Sequence, residues 1–404
     1  MAGSLTPTDK LVIFGLGVAL QFDILTSTFG LPFQRLSDLL PFLTIPYFLF
    51  RHDVLTAMLG RMLPIGLLVV ILTASLVFKA DKEQGDVYLT LVLLLYVVQA
   101  IQLVILFKDP SGPDCLAAGI LLGLVGSLGA LAAASAGIDL TAYGLAVPTD
   151  GVDAELLLFM QDKLGGLWAG GNETGHVFAL AGAAAMYLWF RTGRTAIYLL
   201  YVLGLLVSFP MTNNRAGLVV PAIFLVLILR RSFGAYHLLA AAAAVCALVM
   251  VFAATGYTPL PEKFQSAIEK RFVSDGNTEA NVGERLDSTL GGLRLALTHP
   301  FGLGAVATQN QLRAMTGLGT PHNGIVSLAV QSGVFVALAF LVGACRIVLT
   351  PGRFGPFAHY TVLFMVPSLM FEELSINQVF LFGIAFVLAA SALSRPDDPV
   401  IARS

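Results

Sequence analysis

Residues 321–345 read PHNGIVSLAVQSGVFVALAFLVGAC, in which a Pro-His-Asn triplet leads straight into an apolar run from Gly324 to Ala344. About 20 consecutive apolar residues are enough for one helix to cross the hydrocarbon layer of a membrane. The stretch therefore predicts a membrane-spanning helix over residues 323–345. His322 would then lie at the membrane surface, at the point where that helix begins.

The sequence before this run, from Gly256 to Asn323, is a polar island between two long apolar runs. Charged side chains and unpaired backbone polar groups are costly in lipid, so such a segment is expected outside the hydrocarbon. We therefore predict that residues 257–322 form a folded extramembrane loop subdomain. Apolar residues recur in this loop at helical spacing, which predicts two amphipathic helices that lie on the membrane face or on the helix bundle. The two series are Phe264, Ile268 and Phe272, then Leu286, Leu290, Leu293 and Leu297.

A proline and two glycines follow the second series. His299-Pro300 is expected to end the helix. Phe301-Gly302-Leu303-Gly304 then predicts a tight loop. Such a loop is either a plain turn between two helices or a place where backbone approaches a neighbour or a ligand closely.

Composition fixes the class of protein. The 404-residue chain is 57% hydrophobic and 12% charged, which excludes a soluble globular protein and predicts an all-α integral membrane protein. We expect one polytopic domain over residues 1–404, with about twelve membrane-spanning helices and with the loop 257–322 between the ninth and the tenth. The predicted spans are 11–29, 36–50, 62–78, 87–107, 116–138, 172–190, 194–212, 215–229, 236–256, 323–345, 358–371 and 374–393.

Basic residues set the expected orientation, because Lys and Arg concentrate in short cytoplasmic loops. With the amino terminus in the cytoplasm, twelve of the 23 Lys and Arg residues face the cytoplasm and five lie in short outer loops. The loop 257–322, the acidic loop 139–171 and the connection 210–215 then share the outer face of the membrane. Three polar segments therefore converge on one side.

Several other classes of function receive no support. A net charge of −2 with dispersed charges gives no reason to expect nucleic acid. Cys115, Cys246 and Cys345 show no metal-ligand spacing, so we expect no disulfide, no metal and no cofactor. No small-residue cleavage pattern closes the run from Leu11 to Phe29, which is therefore interpreted as a retained span rather than a signal peptide.

Two residues at predicted helix starts could carry chemistry. Arg215 follows Asn213-Asn214 at the start of an apolar run, and a helix amino terminus combined with a guanidinium favours phosphate. An arginine that snorkels to the interface is the alternative. His322 also precedes a helix, whose dipole disfavours the imidazolium and keeps a neutral base available. A structural or interfacial histidine is equally compatible with the sequence.

A second arginine on the outer face would suit a diphosphate, which needs two positive partners. Arg285 lies beside the leucine series, so its guanidinium could point to the edge of that stripe. An ordinary exposed loop arginine is the alternative. Arg271, Arg294 and Arg313 are weaker choices for the same role.

Ordered short motifs between residues 170 and 340 resemble the O-antigen ligase and polymerase family of bacterial inner-membrane glycosyltransferases. The motifs are Gly170-Gly171-Asn172-Glu173-Thr174-Gly175, Thr212-Asn213-Asn214-Arg215-Ala216-Gly217, Arg285 with Leu297-Thr298-His299-Pro300-Phe301-Gly302-Leu303-Gly304, Pro321-His322-Asn323-Gly324-Ile325-Val326, and Gln331-Ser332-Gly333-Val334-Phe335. The chain departs from the family in having Thr289 where a tryptophan is common, and Asn214 where a serine often precedes the first arginine.

The resemblance implies transfer of a glycan from undecaprenyl diphosphate to an acceptor hydroxyl at the periplasmic face of the inner membrane. The family uses neither a nucleotide sugar nor a metal, and the acceptor would be a glycan or lipid A core. On this hypothesis Arg215 and Arg285 bind the diphosphate, and His322 is the general base. Further substrate contacts are expected from Asn172, Asn214, Asn323 and Arg294.

Two alternatives to a ligase remain open at the level of sequence. A polymerase shares the donor chemistry and differs only in its acceptor, which no motif identifies. A transporter or flippase of lipid-linked sugars is the competing class. The chain lacks a clear duplicated half, and its notable polar groups gather on one face rather than at the bilayer midplane, both of which disfavour transport.

Overall fold

The computed structural model describes residues 4–22, 38–79, 84–136, 138, 174–212, 221–226, 228, 278–371 and 378–393, and every regular element in these ranges is a helix. The helices are α1 Pro7–Ala19, α2 Leu39–Leu49, α3 His52–Leu59, α4 Met62–Val77, α5 Gln84–Leu106, α6 Ser111–Ser135, α7 Thr174–Thr192, α8 Thr195–Thr212, α9 Thr278–Thr298, α10 Ala305–Thr316, α11 Gly324–Ser332, α12 Val334–Leu349, α13 Pro351–Phe371 and α14 Gln378–Leu393. A further helical stretch covers residues 221–226.

The first helix begins at Pro7, four residues before the predicted start of the first span. Thr6 closes a capping box: its hydroxyl accepts from the backbone N–H of Asp9 at 3.1 Å, and the Asp9 carboxylate accepts from the Thr6 N–H at 2.8 Å. Asp9 is buried because Arg51 pairs with it and the Tyr47 hydroxyl donates to it at 3.0 Å. The Thr6–Asp9 capping box and Pro7 are local signals from which this start could have been predicted, whereas the Asp9–Arg51 pair is a tertiary feature.

Two helices in the described ranges are long and apolar enough to cross a membrane by themselves, Val87–Leu106 and Ser111–Ala133. The first agrees with the predicted span 87–107 to within one residue, and the second overlaps the predicted span 116–138 but lies five residues earlier at both ends. The segment 51–61 was predicted to be a gap, but it contains α3, which meets α4 at an angle of 77°. The pair is either one broken span or a re-entrant loop. Apolar helices too short to meet the same test are Leu39–Leu49, Val177–Thr192, Thr195–Ser208, Val334–Leu349 and Val379–Leu393.

Helices α1 and α6 contact each other closely through glycine residues. Each helix presents a glycine to the backbone of the other: a Cβ on Gly17 would lie 2.5 Å from the carbonyl oxygen of Leu116, and a Cβ on Gly119 would meet the carbonyl of Phe14. Small residues let helices in a membrane approach until their backbones touch, which maximises van der Waals contact where lipid gives no hydrophobic driving force. The bundle continues through α6 against α7, α7 against α13, and α5 against α14.

The span predicted over residues 323–345 is broken. α11 ends at Ser332 and α12 begins at Val334, because Gly333 has a φ of 104° and a ψ of 148° that only glycine readily adopts. The loop that follows α9 fills the break with two backbone hydrogen bonds, from the N–H of Leu303 to the carbonyl of Val330 at 2.7 Å and from the N–H of Val334 to the carbonyl of Pro300 at 2.9 Å.

The glycine loop 301–304 therefore connects α9 to α10 and also approaches a neighbouring backbone closely. A Cβ on Gly302 would lie 2.7 Å from the carbonyl oxygen of Gln331, and a Cβ on Gly333 would lie 3.0 Å from the carbonyl carbon of Phe301. The hydroxyl of Ser75 in α4 donates to the carbonyl of Phe301 at 3.1 Å. Three elements thus meet at Gly333, so the break in the span and the loop stabilise each other.

We expect Gly333→Ala to lower the melting temperature of the detergent-purified protein more than Gly317→Ala does. A non-glycine residue in the backbone region of Gly333 costs about 1–3 kcal/mol, and its Cβ would also press on Phe301. Gly317 is the matched control, since its φ is 79° and nothing lies within 4 Å of a Cβ there. Equal losses in the two variants would show that the loop can move away from the break.

Candidate functional site

Helix α9 packs on the loop before His322 through its small residues. The Ser288 hydroxyl donates to the carbonyl oxygen of Thr320 at 2.5 Å. A Cβ on Gly292 would lie 2.8 Å from Cγ of Pro321, so only glycine fits at this contact without a shift. Ser288 and Gly292 are four residues apart, about one helical turn, and lie on the same face of α9. This face of α9 therefore packs against the segment that ends at His322.

Helices α9 and α11 run in the same direction, because residues later in the α9 segment contact residues later in the α11 segment. Ser288 meets the residue two before His322. Gly292 meets Val326 in the first turn of α11, where a Cβ would be 3.0 Å from the valine Cγ1. Leu303, beyond the end of α9, meets Val330 near the end of α11. The predicted end of α9 before His299-Pro300 is confirmed, since the helix stops at Thr298.

Arg285 lies three residues before Ser288, about one turn nearer the start of α9. Its side chain is exposed. Ser288 touches the loop at Thr320, so Arg285 lies on the helix that packs against the segment leading to His322. The structure therefore brings together the elements of these two predicted site residues.

His322 is half-buried and stands between buried Pro321 and the helix cap Asn323. The carbonyl of Pro321 accepts from the Ser327 hydroxyl at 3.2 Å, which fixes the backbone just before the histidine. The Asn323 side-chain oxygen accepts from the backbone N–H groups of Ile325 at 3.0 Å and Val326 at 3.1 Å. His322 is thus held at the amino terminus of α11, as the sequence predicted.

Asn323 acts as the N-cap of α11, a role that the sequence prediction did not give it. We expect Asn323→Ala to cost about 1 kcal/mol of stability, and Asn323→Ser to cost less because serine keeps an acceptor oxygen. Melting temperatures of the purified variants measure this difference. If Asn323 also contacts substrate, both variants lose transfer activity, whereas a residue that only caps the helix loses activity in proportion to stability.

The remaining arginines of this region are placed differently. Arg294 is nine residues from Arg285, about 180° around the helix at 3.6 residues per turn, so the two side chains leave α9 on opposite sides. Arg313 in the last turn of α10 approaches the loop instead, with its Nη2 3.4 Å from where a Cβ of Gly319 would lie. Arg313 therefore borders the segment before His322, although the sequence favoured it less.

Arg215, Asn214 and Asn172 lie outside the described residues, as do Arg271 and the helix predicted around Phe264. The helix α8 leads to Arg215, since it ends at Thr212. Among the described residues, no group of three or more His, Cys, Asp and Glu side chains is arranged to hold a metal ion.

An apolar cavity of about 290 Å³ lies between α6 and α8. Its lining is apolar apart from Ser208: Leu128, Leu131, Ala132, Leu200, Leu203, Gly204, Val207 and Ser208. Its lining residues in α8 run from Leu200 to Ser208, so the cavity lies beside the middle of this helix. A cavity of this composition can hold part of a hydrocarbon chain.

Residues 199–341 match the family model described as O-Antigen ligase. This region is similar to the O-antigen ligase family. The match confirms the resemblance drawn from the motifs, and it covers Arg215, Arg285 and His322 together with most of α8 and all of α9, α10 and α11. The comparison with curated proteins found no match. Sequence, fold and family match therefore agree on a multi-pass helical membrane protein that contains a region similar to O-antigen ligases.

Sequence reasoning missed the residues that join the site together. Ser288, Gly291 and Gly292 form the inward face of α9, and a Cβ on Gly291 would lie 2.9 Å from the Leu312 side chain of α10. Their spacing of three and four residues is a signal that was present in the sequence, because small residues on one helical face permit close packing. The leucine series, from which the helix was predicted, lies on the opposite face of α9.

Proposed function

We propose that this protein transfers a glycan from undecaprenyl diphosphate to an acceptor hydroxyl on the periplasmic face of a bacterial inner membrane. One observation carries the proposal. The helix that bears Arg285 packs, through Ser288, against the loop that ends at His322, and both lie within the region that matches the O-antigen ligase family. A guanidinium and an imidazole on neighbouring elements are the groups that this reaction needs. The twelve-span topology predicted from the sequence is part of the proposal.

In the proposed reaction His322 takes the proton from the acceptor hydroxyl, whose oxygen attacks the anomeric carbon of the donor glycan. The bond from that carbon to the diphosphate breaks, and the diphosphate leaves with the electron pair and the negative charge. Arg285 and Arg215 stabilise this charge, since preorganised cations at a leaving group lower the transition state more than the ground state. Attack opposite the leaving group inverts the anomeric configuration.

The other predicted contacts keep smaller roles in the proposal. Asn214 and Asn172 would approach the donor beside Arg215. Arg294 would contact only a part of the substrate remote from the reacting carbon, because it leaves α9 on the side opposite Arg285. The cavity between α6 and α8 supports a place for part of the lipid tail of the carrier, since its lining is almost entirely apolar.

The acceptor distinguishes a ligase from a polymerase, and we propose a ligase with lipid A core as acceptor. The experiment is transfer by the purified protein from a synthetic undecaprenyl-diphosphate glycan, in chelator, to lipid A core or to a second carrier-linked glycan. Product on lipid A core supports the ligase, and product only on the carrier-linked glycan establishes a polymerase. Movement of the donor across sealed vesicles without any new glycosidic bond would instead establish a transporter.

A further inference from the structure

The leucine series of α9 forms one exposed apolar stripe along the helix. The exposed fractions are 57% for Leu286, 53% for Leu290, 45% for Leu293 and 70% for Leu297. The opposite face of the helix is buried through Ser288, Gly291, Gly292 and Leu295. The sequence allowed the leucines to lie either on the helix bundle or on the membrane face. In the structure the small residues pack on the bundle and the leucines point outward.

Charged side chains border the stripe without interrupting it. At about 100° per residue the four leucines fall within an arc of roughly 60°. Arg285 lies beyond one edge of this arc, and Asp287 and Arg294 lie beyond the other. A narrow apolar stripe flanked by charge on a helix too polar to cross a membrane is typical of helices that lie in the membrane interface.

Aromatic side chains continue the stripe beyond the end of α9. Phe301 lies in the loop after α9, four residues beyond Leu297, and its ring centroid lies 5.1 Å from that of Phe78 and 5.5 Å from that of Phe335. Phe78 is 63% exposed and Phe335 is 48% exposed. The loop that follows the stripe therefore packs against exposed aromatic rings at the end of α4 and the start of α12.

The outward faces of α4 and α12 are apolar. On α12, Phe335, Leu338 and Val342 are exposed at spacings of three and four residues, which is one helical face. On α4, Val70 and Val77 are likewise exposed. In a helical membrane protein such faces contact lipid, so the leucine stripe extends a lipid-facing surface onto the loop region.

We propose that α9 is an interfacial membrane helix whose leucine stripe inserts into lipid on the side of the membrane where His322 lies. The geometry then holds Arg285, at the edge of the stripe, at the height of the lipid phosphates. The loop region around α9 is accordingly anchored at the lipid surface rather than projecting into water. This inference concerns where the helix lies and does not depend on the proposed reaction.

The test measures the depth of α9 with spin labels. Cys115, Cys246 and Cys345 are replaced by serine, and single cysteines are introduced at Leu290, Leu293 and Leu297, with Asp287→Cys as the control on the same helix. The labelled proteins are reconstituted into vesicles of phosphatidylethanolamine and phosphatidylglycerol. Relaxation by oxygen, which concentrates in lipid, is compared with relaxation by a water-soluble nickel chelate.

We expect the three leucine positions to be relaxed severalfold more by oxygen than by the nickel chelate, and the label at position 287 to show the reverse. Two outcomes overturn the proposal. Relaxation by the nickel chelate at all four positions would place the stripe in water. Protection of the leucine positions from both reagents would show that protein covers them, and dipolar broadening between identical single labels would identify that protein as a second copy.

Discussion

The variant His322→Ala is expected to lower the turnover of glycan transfer by roughly 10²- to 10⁴-fold, which is the usual contribution of a general base. His322 precedes the cap of α11, so its side chain can be removed while the two hydrogen bonds of the Asn323 cap remain. Binding of the donor should persist, because the imidazole acts on the acceptor. The measurement is kcat at saturating donor, together with donor affinity from equilibrium binding.

The matched control for this prediction is His299→Ala. His299 ends α9, where its Nδ1 lies 3.1 Å from the carbonyl oxygen of Leu295, and no part of the proposed reaction uses it. Its loss should change stability slightly and leave kcat near that of the unmodified protein. A His322→Ala protein that melts normally and still transfers glycan at near-normal kcat would remove His322 from the reaction.

Helix α9 shows what could be predicted from the sequence. The 3.6-residue spacing of its leucines and the His299-Pro300 pair predicted the helix and its end, because both are local signals. Which face packs inward could have been predicted from Ser288, Gly291 and Gly292, since close helix contact requires small side chains. The exposed leucine stripe becomes visible only when that contact is known.

The break at Gly333 could not be predicted from residues 323–345 alone. The same apolar sequence is compatible with a continuous helix and with an interrupted one. The interruption depends on the loop 300–304, which is remote in sequence. A similar limit applies to α3, whose start at His52 follows Arg51, a residue tied to Asp9 and Asp53 through ion pairs. Long-range pairing of this kind leaves no periodic signal in the chain.

Two features of the site were open to prediction and were missed. An asparagine immediately before an apolar run is a helix N-cap signal, which applies to Asn323 as well as to Asn214. The spacing of nine residues between Arg285 and Arg294 already implied opposite sides of one helix. That the helix carrying Arg285 packs on the segment leading to His322, in contrast, became evident only from the contact between Ser288 and Thr320.

The variant Arg285→Ala is expected to lower kcat/KM for transfer by about 10²- to 10³-fold, the usual cost of removing one preorganised group that stabilises developing negative charge. The exposed position of Arg285 means that its loss should leave the melting temperature nearly unchanged. Arg285→Lys should recover only part of the rate, because lysine keeps the charge but loses the planar fork that binds two phosphate oxygens at once.

Arg294 supplies the comparison on the same helix. It is also exposed, and it differs from Arg285 chiefly in leaving α9 on the opposite side. Arg294→Ala should therefore leave kcat unchanged and alter at most KM, since in the proposed reaction Arg285, and not Arg294, stabilises the leaving diphosphate. Equal losses of kcat in the two variants would indicate that α9 acts through its overall positive charge. In that case the role proposed for Arg285 at the leaving diphosphate would be wrong.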